Sequence, residues 1–317
     1  MSDHKNTYIA VSFLQSAAWA EFQTELLGKK TVRIDTENLS GRVIRASVGY
    51  GNYYAYTPHG PSGNYTQASL AAFTHAVREN QELRKSFFLR IEPFFRFSAP
   101  LSDMLKDAGF TKVNNVQPEE TIVLDLLEEE DALLKHMEHN TRYSIRAAAR
   151  RGVSVTAFSA SDAVSKNAFR EFWGMFLETN MRHRLRFYPE AYYRGVCALN
   201  GDCFSKTYIA YHGNTAVAAA VIVFFHGRAT YLYASSRSGF GNLNAPTLLL
   251  WSAILDAKKM GYTSFDFWGA SDTKKEWAGV TAFKKSFGGT PVRYMGSWDY
   301  VYNKPKYIAY TMLKKIL

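Results

Sequence analysis

Two lysines lie between two phenylalanines in GVTAFKKSFGG (279–289), where a short helical pattern gives way to a Gly-Gly loop. A cation fixed at such a boundary can stabilise negative charge that develops on a reacting oxygen, by about 3–4 kcal/mol. Lys284 and Lys285 are neighbours and do not share a helix face, so at most one of them points at a given site. The pair fits a solvated surface equally well. A second cluster is RHRLRFYPEAYY (182–193), with three Arg, one His and three Tyr just ahead of a helix. Arg184 and Tyr188 stand four apart; Arg offers a planar fork for phosphate and Tyr a face for stacking. Arg182 or Arg186 fits the same role, and so does a plain basic surface loop. Tyr233 belongs to the strand pattern YLYASS and reads either as a site residue or as alternate-face packing. His59, His136, His139 and His183 form no HxxxH or Ser-His-Asp pattern, so no nucleophile is assigned. Glu92 and Asp103 are loop carboxylates without a clear catalytic partner, and no general base is named.

These residues need elements to hold them. The stretch 231–289 reads as strand, Gly-rich loop (SGFGN, 238–242), helix and strand. Asn244 stands where an N-cap belongs and Pro246 falls in the first turn, where its missing N–H costs nothing. Leu249, Leu250, Ala253 and Ile254 recur at helical spacing, and Gly261 closes the helix. Upstream, VSVTAF (153–158) precedes two helices, 161–180 and 189–199. Three strands follow, the first two joined by a Gly213-Asn214 turn. Strand, two helices, meander and strand–helix–strand is the order of an N-acetyltransferase-like (GNAT) domain. The first half follows it more loosely: a strand or its lead-in at 8–13, a helix at 16–28, strands TVRID, RVIRASVGYG and YYAYTP, a helix at 67–80, FFLRIEP, a helix near 100–109 and TIVLDL (121–126). Residues 128–152 read as one long helix whose acidic start and basic end suit the helix dipole. Its Arg142, Arg146, Arg150 and Arg151 suit phosphate contacts or a solvated helix end. The expected fold is α/β (α+β), with two tandem GNAT-like domains at 1–150 and 151–303. A C-terminal helix, 304–317, returns to the first.

At 317 residues the chain is long for one core. Hydrophobic content of 47% and aromatic content of 15% describe a packed globular protein. The net charge of +10 favours an anionic partner such as RNA, a phosphorylated nucleotide or an acidic membrane surface. Only Cys197 and Cys203 are present, without CxxC, so neither a structural zinc nor a disulfide framework is expected. MSDHKNTYIAV has no signal-peptide pattern, and TAVAAAVIVFF (215–225) is too short to span a bilayer. A cytoplasmic location is expected.

NAP-TLLLW-AI-DAKKMGY-SFDFWG followed by GVTAFKKSFGG resembles the second domain of the FemABX peptidyltransferases, with FK-x-x-FGG its most specific part. QSAAWAEFQ, YTPHGP, LRIEP and an N-x-R element (Asn140, Arg142) resemble landmarks of the same family, so the resemblance covers nearly the whole chain. It implies transfer of an aminoacyl group from aminoacyl-tRNA to an amine of a peptidoglycan precursor, UDP-linked or lipid-linked. It implies catalytic roles for Lys284 and Phe283, and substrate contacts at Arg184, Tyr188, Tyr233 and, by position, Lys29 or Lys30. No cofactor is implied, since aminoacyl-tRNA is the donor substrate. A monomer is expected, with the membrane surface as a peripheral partner. No region sustains the heptads of a coiled-coil arm, which places the chain with armless members. Two alternatives stand beside this reading: an acyl-CoA-dependent GNAT N-acyltransferase, and transfer from aminoacyl-tRNA to a non-peptidoglycan peptide. Acetyl-CoA enzymes use R/Q-x-x-G-x-G/A to hold pyrophosphate on backbone N–H groups. Here Arg237, Gly239 and Gly241 are one residue short of it, and Pro246 removes an N–H, which points away from CoA.

Overall fold

The computed structural model describes residues 11–165, 167–183 and 187–316. They form two compact units, one of residues 11–15, 19–119 and 293–316, the other of 16–18 and 120–292.

In the first unit, α1 (Ala17–Glu25) leads into β1 (Thr31–Asp35), β2 (Leu39–Gly49), β3 (Asn52–Thr57) and β4 (Ser62–Gly63). Then come α2 (Gln67–Glu79), β5 (Phe88–Ile91), α3 (Ala99–Asp107) and β6 (Phe110–Lys112). Thr66 caps α2, its hydroxyl accepting from Ser69 N–H while Ser69 Oγ accepts from Thr66 N–H. This reciprocal box satisfies two donors the first helical turn would otherwise strand. Phe13–Gln15 form a 3₁₀ turn where a strand or its lead-in was expected, and residues 8–10 lie outside the described set.

The second unit starts with β7 (Glu120–Asp125), α4 (Glu130–His136), α5 (His139–Arg150) and β8 (Val153–Ser159). It continues with α6 (Ala160–Ser165), α7 (Ala168–His183), α8 (Glu190–Cys197), β9 (Phe204–His212), β10 (Thr215–Phe225) and β11 (Arg228–Ser236). Last come α9 (Ala245–Lys259), β12 (Ser264–Asp266), α10 (Ala278–Lys285) and β13 (Thr290–Arg293). The chain then rejoins the first unit as β14 (Trp298–Val301) and α11 (Lys304–Ile316).

The first sheet runs β1-β2-β3-β5-β14-β6, with β4 on β2; the second runs β13-β7-β12-β11-β10-β9-β8. Two strands therefore sit apart from where sequence order put them. TIVLDL was expected to complete the first unit, but β7 pairs with β12 in the second sheet (Leu124 opposite Phe265). Thr121 Oγ1 donates to buried Asp266 at 2.6 Å across that pair. Conversely, β14 lies between β5 and β6, where Asp299 accepts a bidentate pair of bonds from Arg90, both 2.7 Å and both residues buried. The unit boundary thus falls after Glu119, well before the expected division at 150.

The expected helix over 128–152 is two helices. Met137 is extended (ψ 152) and Glu138 N–H donates to Ser286 O instead of continuing the turn. Arg142 donates to the Met137 carbonyl, so it caps a helix end inside its own unit. The stretch 161–180 likewise divides into α6 and α7. Cys197 and Cys203 are free and buried, and burial pushes both thiols up to about 12. Among the described residues no helix is long and apolar enough to cross a membrane.

Candidate functional site at the open edge of β11

In the second sheet β11 and β12 run parallel. They share three rungs, Arg228–Thr230 against Ser264–Asp266; β12 then ends while β11 runs on to Ser236. Phe267 is buried in the core, and the chain turns at Trp268 (φ 48) and Gly269 (φ 70), both in the left-handed region. Trp268 N–H donates to the Asp266 carboxylate at 2.9 Å, which helps hold a conformation that a bulky residue adopts at a cost. Beyond the third rung, among the described residues, no strand pairs with that edge of β11.

α10 secures this turn. Thr281 Oγ1 accepts from Ser271 N–H and donates to Ser271 O. One turn on, Lys284 Nζ donates to the carbonyls of Trp268 and Gly269, both at 2.5 Å. Lys284 is 6% exposed and its ammonium lies 5.8 Å from the ring centre of Tyr231 on β11. Burial pushes its pKa down to about 8, partly offset by the Asp266 carboxylate. Lys285 points away, to an exposed ion pair with Asp272 at 2.6 Å. The Phe-Gly-Gly that follows has a packing reason. Phe287 is fully buried against Phe267 and Phe283, and Gly288 and Gly289 take φ 83 and 91. A Cβ on Gly289 would meet Val123 O on β7 at 2.9 Å, so only glycine fits that approach.

Two hollows adjoin the open edge. The larger, about 370 Å³, is lined by Phe283, Val280, Phe240, Arg237 and the start of α9 at Asn244–Thr247. The smaller, about 190 Å³, is lined by Tyr231, Ala234, Ala218, Leu249, Thr179 and Arg182 among others. Ser236 and Pro246 belong to both. Phe283 thus faces the larger hollow, while Lys284 sits behind Tyr231, a wall of the smaller one. Asn244 caps α9 in the left-handed region (φ 55) without a side-chain bond, and Pro246 occupies the first turn. Arg237 Nε donates to Ala216 O at 3.0 Å, which anchors its guanidinium along the larger hollow.

Tyr233 lies elsewhere. The β10–β11 register slips at Leu232, with Val221 opposite Tyr233 but Ile222 opposite Tyr231. That extra residue sends two tyrosines two positions apart into different surroundings. Tyr231 joins the core with α9, whereas Tyr233 packs on Phe176 and Tyr193 of α7 and α8. Tyr233 OH donates to Tyr192 OH at 3.2 Å, and Tyr192 stacks on half-exposed Tyr188 at 4.2 Å. Tyr188 and Tyr233 are therefore brought together through Tyr192, apart from Lys284. Arg184 and its alternative Arg186 lie outside the described residues. Lys29 and Lys30 belong to the first unit: Lys29 Nζ donates to Gln23 Oε1 at 2.8 Å, with its pKa lowered by burial, and Lys30 is exposed. Tyr231 is the residue of this candidate site that sequence reasoning passed over. Only the slip at Leu232 separates it from Tyr233, and nothing in YLYASS announces a slip.

The chain is similar to aminoacyltransferase FemA of Staphylococcus aureus, 32% identical over 109 residues, which take in 33% of this chain and 26% of FemA. The chain thus spans about a quarter of the length of the curated relatives that it matches. A crystal structure of FemX superposes with a TM-score of 0.81 at 18% identity, covering 94% of each chain. A tandem GNAT protein from the clavulanic acid biosynthesis pathway gives 0.51 at 12% identity, over 84% of this chain and 79% of that one. At these identities the structural likenesses speak for the fold, two tandem GNAT-like domains. A model of the FemAB family matches residues 105–212 and 202–315, well over half of the sequence, and the chain belongs to that family.

Proposed function

We propose that this protein is an aminoacyltransferase that moves an aminoacyl group from aminoacyl-tRNA to an amine of a peptidoglycan precursor, building an interpeptide bridge. The observation that carries the reading is the buried Lys284 ammonium behind the open edge of β11, held by neutral carbonyls so that its charge is not cancelled at contact. Below pH about 8 that cation is present. The larger hollow suits the terminal nucleotide of a tRNA: Phe240 and Phe283 offer faces to a base, and Arg237 a fork to a phosphate. Pro246 in the first turn of α9 leaves that helix end one N–H poorer as a pyrophosphate cradle, which disfavours acyl-CoA.

The acceptor amine, once deprotonated, attacks the ester carbonyl carbon and a C–N bond forms. The carbonyl oxygen becomes an oxyanion, which the field of Lys284, acting from behind Tyr231, stabilises by about 2 kcal/mol. Collapse breaks the ester C–O bond, and the ribose oxygen leaves with the proton the amine gives up. No protein nucleophile is required, and holding the two reactants in line supplies much of the rate. Intact-mass spectrometry of a UDP-linked muramyl pentapeptide, incubated with the protein and a mixed pool of charged tRNAs, tests this. A ribonuclease-sensitive gain of one amino-acid residue is expected. An acetyl gain in a parallel reaction with acetyl-CoA, and none with tRNA, sinks it.

A further inference from the structure

We infer that the outward face of α11, together with the neighbouring tip of the β2–β3 hairpin, docks on an anionic phospholipid bilayer. α11 holds to its own unit through one stripe. The Tyr310 ring packs on Tyr54, Phe87 and Phe88, and the Tyr307 ring on Phe88, with Tyr307 OH donating to Asp299 at 2.8 Å. At 3.6 residues per turn the opposite stripe contains Ile308 and Met312, one turn apart, while Leu313 lies on the flank, about 100° round the helix from Met312. These three side chains are 52%, 61% and 61% exposed. A helix this short gains little from displaying aliphatic side chains to water on one face while tyrosines anchor the other.

The charge around that stripe identifies its occupant. Lys304, one turn before Ile308, and Lys306 are exposed on the same helix, and KPKYIAYTMLKKI contains no acidic residue. Lys306 Nζ donates to Asn52 Oδ1 at 3.3 Å, which sets the start of α11 beside the β2–β3 turn. That turn presents Val48, 36% exposed, and Tyr50, wholly exposed at φ 51 between two glycines. An RNA backbone would use the lysines but has no use for Ile308, Met312 and Leu313. A bilayer surface uses both: aliphatic side chains enter the acyl boundary, lysines meet the anionic headgroups, and a tyrosine suits the interface between them. The inference stands on the first unit alone and does not depend on the transferase reading.

Flotation of the full chain with phosphatidylglycerol/phosphatidylcholine vesicles, against pure phosphatidylcholine, tests it. Binding to the anionic vesicles is expected, weakening as salt rises. Ile308→Glu with Met312→Glu should lower the partition coefficient at least tenfold, and Lys304→Glu with Lys306→Glu should abolish the preference for anionic lipid. All four positions are exposed, and the Lys306–Asn52 bond lost in the second variant is a single exposed one, so thermal melting should shift little in either variant. The penetration readout is an environment-sensitive thiol dye on the Met312→Cys variant, since Cys197 and Cys203 are buried. Its emission should shift to the blue with anionic vesicles only. The proposal is overturned by absence of vesicle binding, or by undiminished binding of the Ile308/Met312 variant. It is equally overturned by a dye shift that follows protein concentration without lipid, or by binding that tRNA displaces with no dye shift at all.

Discussion

Each unit has a parallel strand pair of three rungs, and the two pairs end differently. In the first unit, β3 and β5 pair over Ala55–Thr57 and Leu89–Ile91. The next residue, Glu92, gives its N–H to the carbonyls of Thr57 and Gly60. Its carboxylate, 2% exposed, accepts from Tyr56 OH and Ser297 Oγ at 2.5 Å and from the N–H groups of Val116 and Gln117 near 3.1–3.2 Å. Four donors saturate one acid, and the junction is closed. In the second unit the buried acid is on the third rung itself, Asp266, the residues after it turn away, and a cation is added at the turn. Lys284 uses two of its three N–H groups on the turn's own carbonyls and lies next to a wall of a hollow. A buried acid fully supplied with donors holds structure together. A buried cation given only neutral acceptors keeps its charge available and is pushed toward losing it, and that state can be put to use.

The sharpest break in this contrast is Lys284→Met. If the ammonium's field stabilises the oxyanion, kcat should fall about 10–100-fold. In the wild-type protein the rate should also fall as pH rises through about 8, where Lys284 loses its proton, and the variant's residual rate should lack that step. Stability moves the other way. The group titrates near 10.5 unfolded and about 8 folded, so between those values the unfolded chain binds more protons and unfolding free energy rises with pH. Below pH 8 the buried charge costs of the order of 3 kcal/mol, at 1.36 kcal/mol for each pKa unit. Urea melts between pH 7 and 10 should show this rise in the wild type and lose it in Lys284→Met. An unchanged turnover number would remove Lys284 from the chemistry.

Glu92→Ala tests the closed junction. It strands two hydroxyls and two backbone N–H groups in a buried place, at a cost of about 2–4 kcal/mol of folding free energy. Transfer per folded molecule should change little, because Glu92 is given no part in the reaction. A large loss of kcat with normal melting would mean that the first junction takes part in catalysis, and the contrast would fail.

How far the sequence led can be judged at the same places. Helix α9 was legible because Asn244, Pro246, Gly261 and its apolar spacing all mark its ends and inner face. The FK-x-x-FGG element was legible because Gly288 and Gly289 answer to backbone demands that no other residue meets. The placement of β7 and β14 was not, because each is a short apolar strand whose partner lies far along the chain: Leu124 faces Phe265, and Asp299 faces Arg90. Local pattern says strand and is silent on which sheet. The break at Met137 was hidden for a related reason. It is stabilised by Ser286 O, an acceptor far away in sequence, while the charge gradient over 128–152 fits a single helix.

The smallest expected effect falls on the tyrosine that the sequence favoured. Tyr231 and Tyr233 share a strand and a spacing, yet the slip at Leu232 gives one to the Lys284 side and the other to α7 and α8. Tyr233 spends its hydroxyl on Tyr192 at 3.2 Å, and burial among rings pushes its phenol up, so it does not ionise near neutral pH. Tyr233→Phe keeps the ring contacts and removes one hydrogen bond, so it should cost about 1 kcal/mol of stability. Turnover should stay within about threefold of wild type, since the ring keeps its place and a shift of that size is below 1 kcal/mol. Steady-state kinetics with a charged tRNA decides the matter. A tenfold rise in KM or fall in kcat would mean that the Tyr188–Tyr192–Tyr233 stack touches substrate, and that both faces of β11, not only the one backed by Lys284, belong to the site.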